Sequence, residues 1–352
     1  MMENEYDAVV VGCGIAGALL SWRLIQRGQR VLVYDPGEST SASRVAPGII
    51  NPLAGKRLHP AWRIAELLPE AIATYRELEQ DLGGSYYHPL PIVRILQNEF
   101  ERTVLAQRAS QPEAQPYIGW RRDAGWMPGL VHDPLGSFAA EGSGWVDLNA
   151  LLAGWRGRLR TMGCLRDEAL NHKALQPGAQ GVRGPGWSAK RVVFCEGWSV
   201  RYNPWFADLP FKPAKGEMLE LETQTELPPV ILNSGKWLLP LGNGRCRAGA
   251  TFEWGPLDTV PTETARHEIL DVLAKFLRAD FRVISAQAGV RPILRDYRAV
   301  LGCHPVHPQF CIFNGLGSKG ALAAPWLSRR LAEYLLDATT LDREFSLNRF
   351  AQ

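Results

Sequence analysis

The sequence has no apolar run that reaches the roughly 18 residues a membrane-crossing helix needs, so insertion into a bilayer is not expected. At its start, Glu3 and Glu5 stand where a secretory leader would carry basic residues, and no cleavage site follows; the expected compartment is the cytosol. Six cysteines, Cys13, Cys164, Cys195, Cys246, Cys303 and Cys311, form no C-x-x-C pair and no zinc spacing, so they read as reduced thiols. Neither a metal motif nor a catalytic triad is legible. A dominant charge is missing too: 39 basic and 36 acidic side chains leave a formal +3, with no long run of either sign. Small basic groups such as Arg121-Arg122 and Arg156, Arg158, Arg160 read chiefly as solvated faces, and nucleic-acid binding is neither required nor excluded. What remains is a chain of 352 residues with 46% hydrophobic content, enough to bury the core of one large or about two domains.

The most informative segment is VVVGCGIAGALL, followed after one helix by VLVYD. Gly12 permits a tight turn after an apolar strand, Gly14 lets the main chain approach a pyrophosphate, and Gly17 lets the next helix lie close on the sheet. Ile15 and Ala16 complete that turn, and Asp35 ends the second strand, where it would take ribose hydroxyls. Strand, glycines, helix, strand and acid in this order imply an ADP-containing cofactor; the bland alternative is an ordinary strand-to-helix turn.

After Asp35, STSASRVAPGIINPLAG reads as a loop able to lie over such a cofactor. A helix is expected from Trp62 to Leu82, where Ile64, Leu67, Leu68, Ile72 and Tyr75 recur at helical spacing. Extended chain (YYHPLPIVRIL), a helix from Asn98 to Ala109 and an aperiodic segment from Gln111 to Gly144 follow. Asp147 is a plausible cap for the next helix. RVVFCEGW is a short apolar strand of parallel-sheet type, and the runs between Lys215 and Thr251 come at hairpin intervals. A helix from Thr262 to Arg278 precedes a closing strand, glycine turn and helix. The fold expected is α/β: a Rossmann-like core formed by residues 1–85, 145–212 and 286–352, with an antiparallel-sheet substrate domain inserted as 86–144 and 213–285.

A second glycine-rich turn, Asn314-Gly315-Leu316-Gly317-Ser318-Lys319-Gly320, lies between an apolar strand and an amphipathic helix. Backbone N–H groups at that helix start, with the cation of Lys319, would stabilise the anion of a reduced flavin at its N1/O2 side. The alternative is a plain turn. In GVRP, Arg291 offers a guanidinium fork for a carboxylate; the competing reading is a structural ion pair with Asp296 or Glu217.

Together with SASRVAPGIINP, KPAKGEML, LLPLGNGRCRAGATFEWG, AGVRPILRDYRAVLG and FNGLGSKGALAAP, the opening motif resembles the D-amino-acid oxidase family of flavoproteins, over nearly the whole chain and in the same order. The resemblance implies a glutathione reductase-like FAD-binding domain. It places Gly12, Gly14, Gly17 and Asp35 in the ADP fingerprint, with Asp35 where the family more often has Glu. Ser41, Ser43, Arg44 and Gly48 match the loop around the pyrophosphate and ring edge, with Ile49 and Ile50 facing the ring. Leu170, Cys195, Glu196 and Gly197 fall beside the adenosine half. Gly315, Gly317, Ser318, Lys319 and Gly320 match the turn at the flavin pyrimidine edge, where sarcosine oxidase-like members carry the lysine. Arg291 matches the arginine that pairs with substrate carboxylate in glycine oxidase-like members, and Arg247 the basic residue held over the ring to assist oxygen. No cysteine matches the one that tethers flavin in some relatives, so noncovalent FAD is expected, with no metal.

The activity so implied is oxidation of the C–N bond of an amino acid or secondary amine, by hydride transfer to flavin N5 and hydrolysis of the resulting imine, with oxygen or another acceptor reoxidising the flavin. A second form of the same chemistry acts on a carboxymethylaminomethyl group of a tRNA wobble uridine, as in the flavin domain of the bifunctional tRNA-modifying enzyme. A nicotinamide-dependent dehydrogenase and a nonenzymatic flavin-binding protein are the remaining classes. His59, His304 and His307 read as structural or surface groups.

Overall fold

The structure, a computed structural model, describes residues 4–350. Its first half supplies β1 (Asn4–Val11), α1 (Ile15–Gln26), β2 (Val31–Tyr34), α2 (Ile64–Leu82), β3 (Ile92–Ile95), α3 (Leu148–Thr161) and β4 (Trp187–Phe194). The second supplies β5 (Ala214–Glu222), β6 (Ile231–Ser234), β7 (Lys236–Gly242), β8 (Arg245–Gly249), α4 (Glu263–Phe276), β9 (Arg282–Arg291), β10 (Phe310–Asn314) and α5 (Gly320–Leu336).

In the first sheet β1 lies between β2 and β4, parallel to both, and β10 joins the far side of β4, also parallel. Both faces are covered. Val10 packs with the helices α1, α2, α3 and α5, while Val9 and Val11 pack with Leu32, Trp187 and Phe194 on the other side. A strand buried on both faces needs a continuous apolar run, which is why VVV and RVVF carry no alternation.

The second sheet orders β9, β5, β8, β7, β6 and β3 side by side and ends in the hairpin Ser137–Ala140 and Ile118–Arg122. It is antiparallel except where β6 runs parallel to β3. Period-2 alternation sorts β5: Leu219 and Leu221 pack with Cys246, Ala248, Ile269 and Leu273 beneath α4, while Met218 faces the other way. The caps follow local chemistry, with Asp147 accepting from Ala150 N and Thr262 Oγ1 from Ala265 N, at 3.0 and 3.2 Å.

Several expectations change. The aperiodic segment 111–144 contains that edge hairpin, whose exposed Arg121 and Arg122 obscure the pattern. Cys303 and Cys311, read as thiols, stand directly opposite each other on antiparallel strands and form a disulfide. Arg156 is not on a solvated face: it is buried, bridging Asp35 and Asp167, whereas Arg158 and Arg160 do remain outside. β9 also runs unbroken across the 285/286 boundary, which carries Arg291 into the second sheet. No helix among the described residues is long and apolar enough to cross a membrane.

Candidate active site

A cavity of about 1040 Å³ lies between the two sheets, and both glycine-rich turns open into it. At one end Gly12 sits at φ +95°, and a Cβ there would lie 2.5 Å from the Cys195 carbonyl oxygen. A Cβ on Gly17 would overlap the Gly12 carbonyl, so Gly17 serves helix packing and does not line the cavity. Cys13 N and Gly37 N donate to the Asp35 carboxylate at 2.5 and 2.8 Å, and Ile15 N donates to Ser43 Oγ at 3.0 Å. Asp35 lies at the cavity wall, its carboxylate paired with Arg156 and already engaged by two backbone amides. Ser41, Arg44, Gly48, Ile49, Leu170, Cys195, Glu196 and Gly197 line the same half. Ile50, expected at the ring, is fully buried elsewhere.

The adenosine side is braced by two side chains that sequence did not single out, His172 and Asn203. Glu196 takes His172 Nε2 at 2.6 Å and Asn203 Nδ2 at 2.8 Å. Asn314 ties the second glycine-rich turn to the chain that follows β4, donating to Gly197 O at 2.9 Å and accepting from Gly315 N at 2.7 Å. Burial pushes the Cys13 thiol up to about 12, with Asp35 adding to the effect, and burial likewise raises Cys195, so both cysteines at the cavity are neutral.

At the other end Gly317, Ser318, Lys319 and Gly320 line the cavity, but Gly315 does not: it turns the chain at φ +79° with Leu294 behind it. The starts of α1 and α5 adjoin, since a Cβ on Gly320 would lie 3.3 Å from Ile15 Cγ2. Neither helix has a side-chain cap from its own N-cap residue, so two helix N-termini converge on one cavity. Burial and the nearby Arg298 cation hold Lys319 below the usual lysine range. A diphosphate at one end and an electron-rich ring edge at the other suit this donor set, so the residues fit FAD.

On the facing wall, the Arg291 guanidinium lies over Gly216, where a Cβ would come within 2.0 Å of Nη2. It donates to Lys215 O and Thr251 O, each at 3.2 Å, and stacks 5.2 Å from the Phe252 ring centre. Burial pulls its pKa down to about 10, which leaves it charged at neutral pH. The alternative ion pair is not formed: Asp296 binds Arg349, and Glu217 binds Lys215 and Thr262. Arg291 therefore presents a half-buried charge to the cavity with no carboxylate partner among the described residues. Arg247 lies on the same sheet face but outside the cavity lining, contrary to expectation.

Further lining residues, Met218, Asn233, Trp237, Asp258 and Val260, come from the second sheet and from the strap that follows β8. The strap is pinned by Lys215, whose buried ammonium bonds Asp258 Oδ1 at 2.7 Å and Val260 O at 2.6 Å. Burial opposes that charge, but Asp258 and Glu217 outweigh it and raise the lysine pKa.

Comparison with known proteins gives a match over residues 7–334 to the DAO family model, described as FAD dependent oxidoreductase. A glycine oxidase of Pseudomonas aeruginosa is 26% identical over 93% of this chain and 94% of its own length. The tRNA 5-methylaminomethyl-2-thiouridine biosynthesis bifunctional protein of Marinobacter nauticus is 25% identical over 94% of this chain. The chain spans 54% of that relative's length. Among solved structures, glycine oxidase from Geobacillus kaustophilus superposes with a TM-score of 0.82 at 22% identity, covering 99% of this chain and 100% of its own. Iminodiacetate oxidase from Chelativorans sp. BNC1 gives 0.80 at 21%, covering 96% and 99%. At these identities the superpositions establish the fold.

Proposed function

The chain belongs to the DAO family of FAD-dependent oxidoreductases, and from that premise we propose that it oxidises the C–N bond of an amine that bears a carboxylate. Bound FAD supplies the two-electron acceptor. The observation that carries the substrate class is Arg291, a half-buried guanidinium on the cavity wall opposite the cofactor turns, with its fork unclaimed by any acid among the described residues. A carboxylate there gains a charge-assisted bidentate pair and relieves an uncompensated half-buried charge.

The reacting form is the neutral amine, and the acids nearest Arg291 leave no free carboxylate to hold an ammonium: Glu217 binds Lys215 and Thr262, and Asp258 binds Lys215. With the carboxylate fixed, the α-carbon is held against the cofactor side, and orientation supplies much of the rate. Loss of the α-hydrogen as hydride leaves an iminium ion, which water hydrolyses to a carbonyl compound and the protonated amine. Lys319 and the α5 N-terminus stabilise charge at the pyrimidine edge. With both cavity cysteines neutral, FAD is held without a covalent tether, in a protein of the cytosol.

The test is an anaerobic screen of amino acids and secondary amines for bleaching of the flavin absorbance, in the native protein and in Arg291→Met. Bleaching by carboxylate-bearing amines that Arg291→Met weakens supports the assignment; equal bleaching in the variant overturns it.

A tRNA-borne substrate is the second reading. It is favoured by the Phe252–Trp254 pair, 47% and 45% exposed, with Lys212 Nζ 4.2 Å from the Trp254 ring centre and Arg291 beside Phe252. Exposed aromatics next to cations are a platform for unstacked bases. Salt-sensitive tRNA binding lost in Trp254→Ala favours this reading, and its absence removes it.

A further inference from the structure

The loop that follows Arg291, residues 292–299, is the bed on which the second glycine-rich turn rests. Gly317 N donates to Pro292 O at 3.1 Å, and a Cβ on Gly317 would lie 3.4 Å from Ile293 Cγ1. A Cβ on Gly315 would lie 3.3 Å from both Arg298 O and Ala299 Cα. The loop thus runs from the substrate anchor to the back of the turn that carries Lys319, and there it presents a second arginine.

Arg298 is half-buried and does not line the cavity. Its guanidinium lies 5.0 Å from the Trp62 ring centre and makes no hydrogen bond or ion pair among the described residues; only its backbone is bonded, to Asp296 and Arg349. The indole beneath it is fixed. Trp62 Nε1 donates to Glu344 at 2.7 Å, and the ring packs edge-on against Trp326 of α5 and against Phe345. The acids around this stack are taken, since Asp342 and Glu344 pair with Arg63, and Asp296 pairs with Arg349. An aromatic face holds a cation in place without cancelling its charge.

The other elements packed against the Lys319 turn leave that charge unopposed. The first turns of α1 and α5 carry no ionisable side chain, Ile49 and Ile50 beside α5 are apolar, and Arg23 and Glu70, farther along α5, pair with each other. Arg295, on the same loop, is exposed. Burial is the larger cause of the lowered Lys319 pKa, and the one charge that adds to it is Arg298. Two like charges held together without an acid between them favour whatever brings a negative charge beside them.

We propose that Arg298 is a positioning residue for flavin reduction: seated on Trp62 behind the turn, it adds a second positive charge to the field of Lys319, so that both cations together set how readily FAD accepts hydride. This rests on FAD binding and on the proposed amine oxidation, but the potential is read without any amine.

The test is the flavin midpoint potential by dye equilibration in the parent, Arg298→Met, Arg298→Lys and the double variant with Lys319→Met. Arg298→Met should shift the two-electron equilibrium toward oxidised flavin about tenfold, which is roughly 30 mV more negative for a two-electron couple. Arg298→Lys, which keeps a cation on the indole, should recover most of the shift, and the double variant should fall below either single one. The pH at which the Lys319 contribution fades should move up in Arg298→Met, because the repulsion that lowers the lysine pKa is gone, and stay in place in Arg298→Lys. Should Arg298→Met fold poorly, Arg298→Gln keeps a planar group on Trp62 without the charge and carries the same test. A potential within 1.5-fold of the parent equilibrium in a neutral variant that retains its FAD overturns the proposal, as does an Arg298→Lys potential as low as that of Arg298→Met. If the potentials move as expected but no amine bleaches the flavin, the proposed function falls and the role of Arg298 stands; if amines bleach it and the potentials do not move, the reverse holds.

Discussion

Replacing Gly216 by alanine tests the placement of Arg291 without removing its charge. The new Cβ would lie 2.0 Å from Nη2 and 2.2 Å from both Cζ and Nη1. Ordinary contact begins near 3.5 Å, so the guanidinium has to retreat by more than 1 Å. It then gives up its bonds to the Lys215 and Thr251 carbonyls and its aim into the cavity. Misplacement on that scale costs about 100-fold in rate over dissociation constant, or about 2.7 kcal/mol. Arg291→Met, which loses the ion pair outright, should cost about 2 to 5 kcal/mol. The backbone objects little, because Gly216 is not among the residues with left-handed φ and sits in a strand. Alanine there also lowers unfolded-state entropy, worth up to about 1 kcal/mol of stability.

The expected signature is therefore weaker substrate binding in a protein as stable as the parent. Anaerobic stopped-flow reduction over a range of amine concentrations separates the dissociation constant from the limiting rate, and the 450 nm region (about, for any oxidised flavin) reports FAD content. The dissociation constant should rise with FAD content and Tm maintained. A Gly216→Ala protein that binds its carboxylate amine within threefold of the parent, while Arg291→Met does not, would refute the reasoning that the guanidinium works from above Gly216.

Gly12→Ala, whose Cβ would lie 2.5 Å from Cys195 O at φ +95°, should purify with little or no FAD, as the flavin-to-protein absorbance ratio shows. Lys319→Met should lower the flavin midpoint potential, measured by dye equilibration. Because burial and Arg298 lower the lysine pKa, the charged form is lost at a lower pH than for an ordinary lysine. The potential difference between parent and variant should therefore be full at neutral pH and shrink as pH rises, starting below the usual lysine range; a pH-independent difference would exclude the cation as its source. Lys215→Met removes the buried partner of Glu217 and Asp258 and frees the strap. About 3 kcal/mol of stability should go, at the low end for breaking a buried pair because Asp258 is partly exposed, and thermal unfolding reads it.

Much of the fold was legible because its signals are local. The strand–glycine–helix unit at Gly12 to Gly17 needs only neighbouring residues to be recognised, and so do the cap at Asp147 and the turn at Gly315 to Gly320. What sequence missed depends on chain segments that meet only in the fold. Cys303 and Cys311 stand eight residues apart, a spacing without meaning until a tight antiparallel pair sets them face to face. Arg156 looked like one of three surface arginines on a helix, but α3 turns that residue alone toward Asp35.

The same distinction divides the site. The cofactor half is made of contiguous turns, whose glycines announce close backbone approach, so most of the residues that sequence singled out there line the cavity, while Gly17, Ile50 and Gly315 do not. The substrate half is a row taken across strands, one residue from each: Met218, Gly249, Trp237 and Asn233 share a face through register alone. Register is set by pairing over dozens of residues, and a single strand fixes only which alternate positions share a side. Arg247 shows the consequence. It occupies the same face as Met218, but one step along the ladder puts it beyond the cavity. A family can therefore keep its cofactor motif readable while substrate preference changes by single residues on scattered strands.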